Sequence, residues 1–296
     1  MFDLRYHVAS LTAVFFALVI GILVGVALAT HGLGNTERSR LQRQIDIANA
    51  NLDSARNDLI QAQEDKRADS AFVDSAYKTV MTDRLQGRHV AVLFVGKKDG
   101  ELLNSITQTL EDADAPQRLR LSALSVPLDD AAIDRVLARR PQLAAYVGEE
   151  KLGDLGRELA HEFVIGGDTP LWDALQRQLV EEKTGSERRP ADAIVIARTV
   201  QPQVDGTARF LHGFYRGLED AAGVVVGVEA SRSKPSAVPT FQRDFSTVDN
   251  IDTKVGRVAL ALLLADAPGG SYGTKKTASD GVLPEVLPVV PSSAGG

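Results

Sequence analysis

Residues 8–29, VASLTAVFFALVIGILVGVALA, run for 22 residues without a charge. At 1.5 Å of rise per residue such a run spans about 33 Å, close to the ~30 Å hydrocarbon core of a bilayer. No second apolar run of that length follows it to form a buried helical partner. The run therefore predicts a membrane-spanning helix over 8–29, behind a short flank at 1–7. A cleaved signal peptide is the competing reading, since Ala27-Leu28-Ala29 supplies a small-x-small site. The run is longer than the roughly 7–15-residue core of a signal peptide. Its flank also sets Asp3 against Arg5, so an uncleaved anchor is preferred.

Within the run, Ala9, Ala13, Ala17, Gly21, Gly25 and Ala29 recur every four residues. On a helix they form one slowly drifting stripe. Gly21-x-x-x-Gly25 inside it is the pattern that lets two backbones approach closely in lipid. Small residues are common in spanning helices generally, so the stripe predicts a helix pair without proving one. Charge gives an orientation by count alone. Arg5 lies on one side of the span, and Arg38, Arg40 and Arg43 on the other, which favours a cytoplasmic C-terminal side.

No proline occurs before Pro116, so a long helix is permitted beyond the span. Leu41, Ile45, Ala48, Leu52, Ala55, Leu59 and Ala62 alternate spacings of four and three, a heptad seam. Lys66 and Asp69 break it, and Phe72, Val73, Ala76 and Val80 restart an apolar pattern. The expectation is a helical stalk over 36–86 that forms a parallel coiled coil. A single amphipathic helix folded back on the following domain is the alternative.

Beyond the stalk, a continuous apolar run at 88–95 and further runs at 119–124, 193–197 and 223–228 read as buried strands. Helical patterns lie around 102–110, 130–139, 150–162, 170–183, 205–221 and 254–265. Strands alternating with helices predict an α/β domain over 88–266, a parallel sheet in a three-layer, Rossmann- or flavodoxin-like arrangement. The long interval before the third strand suggests a small helical cap or insertion. The Pro/Gly/Ser-rich stretch 267–296 reads as a flexible tail.

The chemistry-bearing residues are few. The chain has no cysteine and a net charge of −6. That excludes disulfides and thiolate sites, and argues against a nucleic-acid partner. The loop Val95-Gly96-Lys97-Lys98-Asp99-Gly100 carries no phosphate-binding fingerprint. His89, His161 and His212 are isolated in sequence, and no nucleophile elbow is present. Asp244, Asp249 and Asp252 could hold a hard cation. Capping is preferred, with Asp252 or Thr253 starting a helix near Lys254. Cu(I) favours thiolate and thioether donors, and the only methionines are Met1 and Met81. No catalytic residue is expected, and the chain reads as a non-enzyme.

Two segments carry a family resemblance. The start, Met1-Phe2-Asp3-Leu4-Arg5-Tyr6-His7-Val8-Ala9-Ser10-Leu11 through Gly21-Ile22-Leu23-Val24-Gly25, resembles the signature of the actinobacterial copper-transporter family. Ser246-Thr247-Val248-Asp249-Asn250-Ile251-Asp252 with Gly256-Arg257-Val258-Ala259-Leu260 is similar to its second signature. The resemblance implies a cell-envelope protein with a role in copper transport or homeostasis, and copper as its cargo, with no ligand set that can be placed here. Members have been described as channel-forming exporters of the outer membrane, and have been linked to cell division and wall remodelling through a membrane partner. It also implies a cytoplasmic N-terminus with the domain outside, opposite to the charge count. A spanning barrel needs many alternating strands of about ten residues. The strands here are few and continuously apolar, so a membrane-anchored homodimeric scaffold for envelope or division partners is the alternative function.

Overall fold

The computed structural model describes residues 4–29, 34–116, 120–185 and 189–286. The chain forms two compact units, Met1–Ser70 and Ala71–Gly296.

The first unit holds α1 (Leu4–Leu28) and most of α2 (Gly34–Met81). The side chains of α1 from Val8 onward are exposed and almost uniformly apolar. Such a helix has no polar face to turn to water. Its one internal polar side chain after Ser10, Thr12, donates its hydroxyl to Val8 O at 2.8 Å, so no hydroxyl there needs solvent. α2 is a single 48-residue helix without proline or internal glycine. Side-chain pairs four apart tie its exposed turns, as in Gln42–Asp46 and Gln61–Asp65.

The second unit is a seven-stranded sheet in the order β3-β2-β1-β4-β5-β6-β7. Its strands are β1 (Val90–Val95), β2 (Arg120–Leu124), β3 (Val180–Gly185), β4 (Ala193–Arg198), β5 (Val224–Val228), β6 (Ser246–Val248) and β7 (Ser271–Tyr272). All pairings are parallel except β2–β3. The pleat sends alternate residues to opposite faces. Ala91, Leu93, Val95, Ile194 and Ile196 meet one apolar layer. Val90, Val92, Phe94, Val195 and Val226 meet the other. The first layer is built from α4 (Asp130–Leu137), α5 (Leu152–Ile165), α6 (Pro170–Leu179), α7 (Asp205–Ala221) and the short α8 (Val238–Phe241). The second holds α3 (Gly100–Asp112), α9 (Lys254–Leu264) and the end of α2. The three-layer α/β expectation holds.

Caps start the helices. Asp99 accepts from Leu102 N at 2.9 Å, Asp129 from Ala132 N at 2.9 Å, and Thr253 from Gly256 N at 3.0 Å. α5 and α7 pack backbone to backbone. A Cβ at Gly213 would lie 2.0 Å from Gly153 O, and one at Gly217 2.3 Å from Arg157 O. Only glycine permits that approach.

Four expectations change. The helix expected over 170–183 ends at Leu179, and Val180–Gly185 becomes the antiparallel edge strand β3. Its pairing uses β2 backbone groups that would otherwise form a bare edge. The interval before β4 is not a separate cap, because its helices bury Ile133, Leu155, Phe163 and Trp172 in the first layer. The domain does not begin at 88, since Met81 and Leu85 are 1% and 0% exposed in the core. Nor does 267–286 behave as a flexible tail. β7 joins the sheet, Tyr272 is buried, and Asp280 accepts from Ser271 N at 2.8 Å. Gly273 takes φ +141°, and a Cβ there would lie 2.0 Å from Asp249 Oδ1, so glycine is required at that approach. Residues 287–296 of the expected tail, Leu119 of the expected second strand and Met1 lie outside the described residues.

Candidate functional site

In open α/β sheets ligands bind beyond the carboxyl ends of the strands, where the strand order reverses. Here that point lies between β1 and β4. The cleft there, of about 310 Å³, is lined by Gly96, Lys97, Lys98, Glu181, Thr199 and Val200. Side chains of the chain itself crowd the turn after β1. Val200 packs over Gly96, where a Cβ would meet its Cγ1 at 2.5 Å. Thr199 Oγ1 donates to Lys97 O at 2.6 Å, Lys98 pairs with Glu182 at 2.7 Å, and Asp99 is committed to its cap.

The densest polar construction lies further along the same edge, at the ends of β5 and β6. Asp249, 1% exposed, accepts from the backbone amides of Thr274 at 2.8 Å and Lys275 at 3.0 Å. Asp252 accepts from Ser231 N at 2.7 Å and from Ser231 Oγ at 2.6 Å. Burial opposes ionisation of Asp252, but the Ser231 hydroxyl and amide, with the Lys275 charge, hold its carboxyl below the usual carboxylate range. Glu229, 3% exposed, accepts from Ser236 Oγ at 2.8 Å, from Ala237 N and from Lys275 Nζ. Lys275 Nζ also donates to Ala230 O at 2.9 Å. Arg198, at the end of β4, donates to Thr240 Oγ1 at 2.8 Å and Ser236 O at 3.1 Å. Carboxylates from two strand ends thus clamp the loops 229–237 and 273–275.

The family-like residues fall into this construction. Ser246 Oγ accepts from Gly270 N at 3.2 Å, and Thr247 is buried in β6. Gly256 packs on the Asn250 carbonyl, where a Cβ would lie 2.0 Å from the oxygen. Arg257 lies beside Tyr77 of α2. Tyr77 donates to Asp112 Oδ2 at 2.6 Å, and Lys254 pairs with Asp74 at 2.7 Å. Burial, then the Asp112 carboxylate, pushes the Tyr77 phenol above its ordinary range.

Of the three carboxylates weighed for a hard cation, Asp244, Asp249 and Asp252, the last two serve backbone and hydroxyl donors instead. Among the described residues no three His, Asp or Glu side chains converge as a metal-binding group. His89 Nδ1 lies 3.0 Å from Asp192, while His161 and His212 are exposed. Met81 is buried in the core. Ala9, Ala13, Ala17, Gly21 and Gly25 lie on α1, with Ala29 just past its end. Added Cβ atoms at Gly21 and Gly25 would meet nothing within 4 Å in the single chain. Leu41, Ile45, Ala48, Leu52, Ala55, Leu59 and Ala62 are exposed on α2. Sequence reasoning missed Glu229, Lys275, Arg198 and the Tyr77–Asp112 pair. A charged residue directly after the apolar run of β5 was the one available signal. It also missed Glu162, a buried carboxylate that accepts from Leu171 N at 3.0 Å and Trp172 N at 2.8 Å.

Known proteins align with this chain over nearly its whole length. Copper transporter MctB from Mycobacterium tuberculosis is 26% identical over 305 residues, covering 93% of this chain and 96% of the relative. The Mycobacterium bovis protein of the same name matches equally. Among the described residues, His7–Leu28 is the one helical stretch long and apolar enough to cross a membrane. Residues 1–283, containing that span, α2 and the whole clamp, match the family described as copper transport outer membrane protein, MctB, and the chain belongs to that family.

Proposed function

We propose that this chain serves copper transport or homeostasis in the cell envelope as a non-enzymatic, membrane-anchored platform. Two copies pair through the α1 stripe and the α2 seam, and their α/β domains are offered to an envelope partner. One match that runs through span, stalk and sheet domain together carries the copper assignment. The platform role is supported by the donor set. The chain has no cysteine, Met81 is buried, and the clamp carboxylates already hold backbone donors. Soft copper ligands are therefore scarce. Pairing in the membrane raises the effective concentration of two stalks whose alanine-rich seam is thin by itself.

The test is complementation in a copper-sensitive deletion strain. The full chain restores growth on copper, and Gly21→Ile with Gly25→Ile reduces both rescue and crosslinked dimer. Rescue with dimer lost sinks the pairing. No rescue by the full chain sinks the copper role. Micromolar or tighter copper binding by the purified chain overturns the platform in favour of direct transport.

A further inference from the structure

α2 is held to the sheet domain in two chemically different ways. At its end Met81, and just past it Leu85, enter the apolar core with Val80 packed against it, and Leu85 N donates to Ala113 O at 2.8 Å. One and two turns earlier polar contacts are added to the packing that the Tyr77 ring still makes against the core. Tyr77 Oη donates to Asp112 at 2.6 Å with the Arg257 guanidinium alongside. Lys254 Nζ reaches Asp74 Oδ1 at 2.7 Å and lies 5.8 Å from the Tyr77 ring centroid. The Lys254–Asp74 pair is half-exposed, at 46% and 59%, so it is cheap to open. The turns around Asp74 and Tyr77 can release while the apolar end stays fixed.

This polar latch grips Asp112 at the end of α3 and the first turn of α9, and that turn is continuous with the clamp. Within nine residues the chain passes from Asp249, which holds Thr274 and Lys275, to Asp252, which holds Ser231. It continues through Thr253, which caps α9, to Lys254 and Arg257, which face Asp74 and Tyr77. Gly256 locks this path, because its α-carbon lies against the Asn250 carbonyl. A displacement of the α9 first turn therefore bears on Asn250, two residues before Asp252. Contiguous packing of this kind carries coupling only if both ends share an equilibrium, which is a measurable property.

We propose that 249–257 is a coupling segment, and that closing the Asp74/Tyr77 latch on α2 orders the loops 229–237 and 273–275 at the carboxyl edge of the sheet. Its consequence is that the carboxyl edge of the sheet responds to whether the turns of α2 at Asp74 and Tyr77 are docked. The inference goes beyond the platform reading and does not depend on pairing.

Hydrogen exchange on the full chain in detergent tests it, in the Gly21→Ile/Gly25→Ile background so that pairing plays no part. Asp74→Asn with Tyr77→Phe is expected to speed exchange at Ser231, Thr274 and Lys275 by roughly fivefold, the loss of a weak surface pair. By linkage, Ser231→Ala speeds exchange at residues 74–78. The charge-swapped pair Asp74→Lys with Lys254→Asp restores protection at both. Unchanged exchange in β1 reports an intact fold. Faster exchange confined to 71–78, with the two loops unmoved, overturns the coupling.

Discussion

Asp252 accepts both the backbone amide and the hydroxyl of Ser231, at 2.7 and 2.6 Å, across 21 residues of chain. One carboxylate thus does for a loop what a cap does for a helix, satisfying a backbone donor and fixing a side chain with it. Asp252→Asn keeps the shape and loses the charge. It is expected to destabilise the domain by about 1 kcal/mol, and Ser231→Ala by about the same or less. Chemical denaturation in detergent checks both values. The double variant should cost less than their sum, because each removes the other's partner.

The carboxyls pull stability in opposite directions with pH. Burial raises Glu162, partly offset by the Leu171 and Trp172 amides, and burial with neighbouring acids raises Asp130. The folded state holds those protons more tightly, so stability rises as pH falls from neutral through their elevated values. Asp252 is held low. Its contribution is complete above the ordinary carboxylate value and is lost as pH falls through its depressed one. The melting temperature is therefore expected to peak on the mildly acidic side of neutral. Glu162→Gln flattens the rise, and Asp252→Asn blunts the acid fall. Melting curves from pH 7 to 3 separate the two arms.

The α5–α7 contact makes two glycines behave oppositely. Gly213→Ala forces a Cβ to 2.0 Å from Gly153 O, whereas Gly153→Ala meets nothing closer than 3.8 Å. The first is expected to destabilise by about 2 kcal/mol or more, through separation of the helices. The second is neutral, or stabilising by up to about 1 kcal/mol through helix propensity. Paired melting curves decide it.

Lys275 neutralises Glu229, whose side chain is 4% exposed. Lys275→Met leaves that carboxylate buried without its cation. The expected loss is about 2–3 kcal/mol, somewhat under the cost of breaking a fully buried pair because the Lys275 side chain is 22% exposed. Glu229→Gln with Lys275→Met recovers part of it, and denaturant midpoints of the two variants test this.

The core of the sheet was legible because β1 and β4 are continuous apolar runs, which only a strand covered on both faces requires. The start of α9 was legible because Thr253 precedes an apolar helix at capping distance. β3 was not, since Val180-Glu181-Glu182-Lys183 has neither alternation nor apolar continuity, and only its pairing with β2 makes it a strand. β7 spans two residues, below any periodicity. At the candidate site, Asp249 and Asp252 could be recognised as turn-forming acids. Their partners, at Thr274, Lys275 and Ser231, lie more than twenty residues away in sequence, where spacing carries no signal.

The clamp also sets an order of events during synthesis. The apolar span leaves the ribosome first and β1 soon after, yet Glu229 and Asp249 meet their cation and amides only when residues 274–275 arrive. Until then the carboxyl edge carries charges the interior cannot accept. A nascent chain can reach the membrane while its domain still waits for its final clasp, and a ribosome stalled before Thr274 leaves an anchored domain open at that edge.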